Sequence, residues 1–140
     1  MSPGPTLDIT VRNDLGEIER LAGTLRNFCR DQGVDDEACH DLLLAMDEVV
    51  SNIIRHGFAD RDPHDIRIRL GLEPPELFLE VEDDAPPFNP LQAPEPDVSR
   101  PIEERPLGGL GIHLVKQLMQ KVEYRRQDGR NILRMTRLLS

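Results

Sequence analysis

Asp41-Leu42-Leu43-Leu44-Ala45-Met46-Asp47-Glu48-Val49-Val50-Ser51-Asn52-Ile53-Ile54-Arg55-His56-Gly57 decides how the chain reads. Leu42, Leu43, Met46, Val49, Val50, Ile53 and Ile54 recur at helical spacing on more than one face, the pattern of a largely buried helix. Its start is expected near Asp35 or Asp36, its end near His56, with Gly57 closing it. Polar residues inside such a helix need a reason. Glu48 and Asn52 stand four residues apart and so share a face, with Asp41, Ala45 and His56 along the same stripe. The neutral carbonyl oxygen of an Asn suits Mg²⁺, a hard ion that keeps several waters. A nearby Glu can take a proton from an attacking water or hydroxyl. A solvated polar stripe with a locally bonded Asn accounts for the same pair without chemistry.

Working outward, Leu7 to Arg12 alternates apolar and polar and reads as a strand. Asn13 or Asp14 is placed to cap a helix running to about Asp31, with Leu15, Ile18, Leu21, Ala22, Leu25 and Phe28 as its apolar stripe and Gly33 ending it. On the other side, Ile66 to Leu70 and Leu77 to Asp83 alternate about Glu73-Pro74-Pro75-Glu76, as a hairpin does. From Asp84 to Pro106 there are seven prolines and almost no periodicity. A loop of that length inside a compact domain is uncommon and usually functional or mobile. Gly108-Gly109-Leu110-Gly111 then opens a helix from Ile112 to about Gln120. Strands at Val122 to Arg126 and Ile132 to Leu138 finish the chain, turning at Gln127-Asp128-Gly129-Arg130. The order β-α-α-β-β-loop-α-β-β predicts one α+β domain over residues 1–140. It is a two-layer α/β sandwich whose mixed, largely antiparallel sheet is covered on one face by three helices.

Two further groups of residues carry possible chemistry. The acids Glu82-Asp83-Asp84 end a strand before Ala85-Pro86-Pro87-Phe88-Asn89-Pro90. A buried carboxylate there can accept a hydrogen bond from an exocyclic amine such as that of adenine. A charged strand end before a proline turn is the plainer account. The glycines before the third helix let the backbone approach a ligand closely, and helix N-terminal N–H groups favour phosphate. A hinge explains them equally well.

Bulk properties exclude other classes. A chain of 140 residues has room for one core. No apolar run approaches the roughly 20 residues that span a bilayer, so no membrane role is expected. Met1-Ser2-Pro3-Gly4-Pro5 does not read as a signal peptide, and a cytoplasmic location is expected. The net charge of −9 argues against direct nucleic acid binding. The basic run Lys121, Arg125, Arg126, Arg130, Arg134 and Arg137 alternates with apolar residues and reads as a solvated strand face. Cys29 and Cys39 form no CxxC pair and read as buried thiols in a reducing compartment.

Together, in this order and spacing, the motifs resemble a known family. Glu48 to Phe58, with Asn52 and His56-Gly57-Phe58, resembles the N-box of the Bergerat-fold (histidine-kinase-like) ATPases, and specifically of the anti-sigma-factor serine/threonine kinases of the RsbW and SpoIIAB type. Asp83 to Pro90 resembles their G1 box, Gly108 to Val115 their G2 box, and Gly129 to Thr136 their last hairpin. The resemblance spans nearly the whole chain. It implies ATP and Mg²⁺ as cofactors, with Asn52 holding the metal and Glu48 acting as catalytic base. It implies that Asp83 binds the adenine amine, that Gly108, Gly109 and Gly111 meet the phosphates, and that residues 86–107 form an ATP lid with Arg105 reaching a phosphate from its end. Thr136 falls near where a late strand faces the nucleotide. The family has Gly at the cofactor-binding position of Ala85; if that turn needs a positive φ, an alanine is strained by about 1 kcal/mol. The activity implied is phosphorylation of a STAS-type anti-anti-sigma partner coupled to sequestration of a sigma factor. The alternative is a non-catalytic, ATP-dependent protein-binding switch of the same fold. Relatives of this type often dimerise, which leaves a homodimer open.

Overall fold

The computed structural model describes residues 4–92 and 109–139, with the backbone alone at 109 and 110. Its elements are β1 (Thr6–Arg12), α1 (Glu17–Asp31), α2 (Asp36–Asn52), β2 (Asp65–Glu73), β3 (Glu76–Asp83), α3 (Gly109–Leu118), β4 (Lys121–Gln127) and β5 (Arg130–Leu138). The order is the expected one. Asp35 caps α2, its carboxylate accepting the Ala38 N–H at 3.1 Å, a contact worth about 1 kcal/mol. Gly33, at φ 70°, supplies the left-handed residue that stops α1. Asp128 and Gly129, at φ 52° and 75°, make the tight β4–β5 turn with the twist a two-residue hairpin prefers. The second helix departs from expectation at its end: regular α-helix stops at Asn52, and Ile53–Gly57 form one π-helical turn. Such turns are frequent at functional sites.

The sheet order is β1-β2-β3-β5-β4, and every neighbouring pair is antiparallel. The expected mixed sheet is therefore corrected. Helix α3 does return the chain so that β4 runs in the direction of β3, but β5 lies between the two. Strands of like direction never become neighbours.

The three helices cover one face. Leu21, Leu25, Leu42, Met46, Val50 and Val115 meet Ile68, Leu70, Leu79, Val81 and Met135 from the sheet, all fully buried. Cys29 and Cys39 are buried here too, and burial together with the neighbouring Cys39 pushes the Cys29 thiol up to about 12, an unreactive packing group. The other face carries ion pairs: Arg69 with Asp8 at 2.9 Å, and Arg134 with Glu80 at 2.8 Å. The Arg134 guanidinium also lies 3.9 Å over the Phe78 ring. The basic C-terminal run does not form one solvated face, because alternation sends part of it inward. Arg137 pairs with Asp41 at 3.0 Å, and Arg126 donates to the Ala85 carbonyl at 2.8 Å. Asp41 is thereby used in packing rather than in the polar stripe read from the sequence. Among the described residues no helix is long and apolar enough to cross a membrane.

Candidate functional site

A cavity of about 660 Å³ opens where the end of α2, the first turns of α3 and the end of β3 converge. Glu48 and Asn52 reach it from α2, Asp83 and Ala85 from the end of β3, and Gly111 from α3. Five of the residues singled out in the sequence thus meet in one place. Gly109 is the first residue of α3. Arg105 and Gly108 lie outside the described residues, as do residues 93–107 of the expected lid. From its first part, Pro86, Pro87 and Phe88 line the cavity.

The strand end is tightly fastened. Asp83 is 4% exposed, and its Oδ1 accepts the Ala85 N–H and the Asn131 side-chain amide, both at 2.9 Å. Burial pushes its carboxyl above the usual range, and those two hydrogen bonds pull the other way. Among the described residues both bonds fall on Oδ1. Asn131 is the hub. Its Nδ2 also reaches the carbonyls of Ala85 (3.2 Å) and Pro86 (3.1 Å), and its Oδ1 accepts the Tyr124 hydroxyl at 2.6 Å and the Phe88 N–H at 3.3 Å. The sequence reading missed Asn131. Its signal was there: alternation with Leu133 and Met135 puts this amide on the core face, where a polar group needs partners.

Thr136 is corrected by the same alternation. It sits opposite Phe78 on the sheet face away from the helices, and so away from the cavity. Ala85 also differs from the conditional expectation: Asp128 is the only non-glycine residue at positive φ among those described, so Ala85 carries no left-handed strain. Its buried methyl faces Gly57, where an added Cβ would come within 3.7 Å of it.

At the helical end the decisive contact is between Gly111 and Glu48. A Cβ on Gly111 would stand 2.7 Å from Glu48 Oε2. Only glycine lets the first turn of α3 come this close without moving the carboxylate. Glu48, Ser51 and Arg55 also line a second hollow, of about 410 Å³, shared with Leu15, Ile18 and Asp47. Glu48 therefore contributes to the lining of both openings, with its carboxylate against Gly111.

Residues 11–137 match the family model described as Histidine kinase-like ATPase domain. The chain is similar to the Serine/threonine-protein kinase BtrW of Bordetella bronchiseptica, at 33% identity over 95 residues covering 68% of this chain and 67% of that protein. It is similar to the Serine-protein kinase RsbW of Bacillus mycoides, at 27% over 114 residues covering 79% and 71%. In fold it resembles the RsbU and RsbW domains of a Mycobacterium tuberculosis protein, with TM-score 0.69 and 18% identity. That likeness covers 99% of this chain but only 33% of the other, so this chain spans a third of its length. A histidine kinase domain from Erythrobacter litoralis matches with TM-score 0.56 and 19% identity over 89% of this chain and 60% of that one.

Proposed function

The chain belongs to the histidine kinase-like ATPase domain family, and from that premise we propose that it is an ATP-dependent serine/threonine protein kinase of the anti-sigma-factor type. Its acceptor is a STAS-type anti-anti-sigma protein and its second partner a sigma factor, in the cytoplasm. The observation that carries the reading is that Glu48 lines both openings while Asn52, Asp83 and Gly111 line the larger one with it.

The donor chemistry of the larger cavity fits a nucleotide. Asp83 Oδ2 is the oxygen left to accept the adenine amine, while Oδ1 is spent on Ala85 and Asn131. Glycines at the start of α3, with Gly111 pressed against Glu48, suit close approach of phosphate to helical N–H groups. The Asn52 carbonyl oxygen would hold Mg²⁺, which when bound offsets the charge of the phosphates. Residues 86–107 act as the lid, and Gly108, Gly109 and Arg105 as further phosphate contacts.

Glu48 does the one piece of acid–base work. A serine or threonine hydroxyl entering from the smaller hollow meets its carboxylate, which accepts the hydroxyl proton as the oxygen attacks the terminal phosphorus of ATP; the bond from that phosphorus to the bridging oxygen breaks, and ADP leaves with the bond's electron pair. Phosphoryl transfer asks little more of a protein than alignment and charge stabilisation, so a small site suffices. The test is Glu48→Gln, assayed with a STAS-type partner and labelled ATP. A kinase loses transfer and keeps nucleotide. A switch that only closes over nucleotide responds to ATP as the wild type does, and that result would end the kinase reading.

A further inference from the structure

Phe58 lines the cavity, and its ring lies flat on the imidazole of His64, with centroids 4.1 Å apart and planes 8° from parallel. His64 is gripped from both sides. Its Nε2 is 2.7 Å from Asp60 Oδ1, and its Nδ1 is 3.3 Å from Asp84 Oδ1. Its backbone is pinned as well: the His64 N–H donates to Asn13 Oδ1 at 2.9 Å, and its carbonyl accepts the Asn13 N–H at 3.1 Å. Asp84 follows the cavity acid Asp83, and Phe58 follows the π-helical turn after α2. One imidazole therefore joins two walls of the cavity that the chain itself does not join.

One ring nitrogen is hydrogen-bonded to a carboxylate and the other stands at ion-pair distance from a second, an arrangement that favours the imidazolium, the form with an N–H at both nitrogens. The charged groups facing the ring among the described residues are Asp60, on its own loop, and Asp84, at the end of β3. Asp62 reaches Asp60 through its backbone N–H, and Asp65 is turned to Arg12. The hydrogen bond that His64 donates to Asp60 holds its pKa above the ordinary imidazole value; partial burial opposes this, and the charges of Asp60 and Asp84 add to it. On deprotonation the proton stays on the nitrogen with the shorter contact, towards Asp60. Nδ1 then turns a lone pair on the Asp84 carboxylate, and that contact opens.

We propose that His64 is a positioning residue of the cavity: protonated, it clamps Phe58 and the Asp83–Asp84 turn in the arrangement that receives adenine, and without its proton it lets the two walls part. The proposal rests on the nucleotide reading of the cavity, and its first test is independent of that reading.

In the nucleotide-free protein, NMR follows the His64 ring protons, the Phe58 ring and the Ala85 amide across about pH 5.5 to 9. All three are expected to move with one midpoint, above the ordinary value of about 6.5, and Asp84→Asn lowers it. A midpoint at the ordinary value, or Phe58 and Ala85 signals that ignore the His64 titration, overturns the proposal. Calorimetry then compares ATP affinity of the wild type and His64→Gln over the same range. The titration of the nucleotide's own phosphate is common to both proteins and cancels in the ratio. The wild type is expected to bind about tenfold tighter below the midpoint, the size of one lost hydrogen bond to a charged group, and equally above it. A ratio that does not change with pH overturns the proposal. Should the wild type bind no ATP at any pH, the nucleotide reading falls, and the NMR result still decides whether His64 holds the two walls.

Discussion

At the β3 end of the cavity, Asp83 is buried and every polar neighbour is committed: Asn131 bridges it to Tyr124 and to two carbonyls, and Arg126 fastens the same turn. At the α2–α3 end, neither Glu48 nor Asn52 makes a side-chain hydrogen bond among the described residues, and the one tight contact is made by the missing side chain of Gly111. On the proposed reading of the cavity, the contrast follows from what each end would have to do. An adenine edge is rigid, and a preformed acceptor reads it without reorganisation. Phosphates, metal and an acceptor hydroxyl arrive separately, so groups that serve them must stay uncommitted until then. Substitutions at the β3 end should thus act on affinity, and those at the helical end on turnover.

The largest expected effect tests the helical end. Glu48→Gln should lower phosphotransfer by about 10²–10⁴-fold, the usual worth of a general base, and leave ATP affinity within about twofold. Labelled-phosphate transfer and calorimetry on the same preparation measure both. Equal losses in the two would erase the division between the ends. Asp83→Asn is the counterpart. It removes the acceptor proposed for the adenine amine, and on that reading ATP affinity should fall by about 10–100-fold. Its effect on stability has the opposite sign. Burial raises the folded-state pKa of Asp83, so the folded protein binds this proton more readily than the unfolded chain. The stability this contributes is full below the unfolded value of about 3.9 and is lost as pH rises through the folded value. At neutral pH the carboxylate is thus a net cost, and Asp83→Asn should unfold in urea at an equal or higher midpoint. A lower midpoint would mean that the carboxylate's hydrogen bonds outweigh its burial.

The same two ends differed in how far they could be read in advance. Glu48, Asn52 and Gly111 stand out because helical spacing and glycine placement are local signals, and the element order follows from periodicity together with caps, glycines and turn residues. Asp83 was legible as an acid at a strand end. Asn131, which holds Asp83 in place, is marked locally only as a polar group on a core face; what it holds, Asp83 and the carbonyls of Ala85 and Pro86, lies more than 40 residues away. Arg126 and Arg137 mislead for a related reason: charge suggests a purely solvated side chain, while strand alternation puts both on the helix-bearing face, where Arg137 is largely covered against Asp41 and the exposed Arg126 still reaches the Ala85 carbonyl. The insertion of β5 between β3 and β4 is likewise a long-range choice that hairpin signals do not encode.

Asn131→Ala should act more weakly than Asp83→Asn but on the same quantity. It leaves Asp83, the Tyr124 hydroxyl and two carbonyls short of a partner, which costs about 1–3 kcal/mol of stability and about tenfold in ATP affinity. Transfer at saturating ATP should be close to that of the wild type, so that the loss appears in KM and not in kcat.

The smallest expected effect divides stability from turnover within one residue. In Gly111→Ala the new methyl meets Glu48 Oε2 at 2.7 Å, and that oxygen is the far end of a flexible side chain with room to swing into either opening. The helix should accept the change and gain up to about 1 kcal/mol from the better helix former. The carboxylate moves instead, and kcat should fall several-fold, about 1 kcal/mol of lost transition-state stabilisation, with ATP affinity little altered. A variant that melts higher and turns over more slowly fits a glycine kept for where it lets Glu48 stand. If Gly111→Ala melts lower, the backbone of α3 has moved rather than the side chain, and the close approach belongs to packing. If kcat is unchanged, Glu48 does not act from the position it holds against Gly111, and the helical end of the cavity has to be redrawn around Asn52.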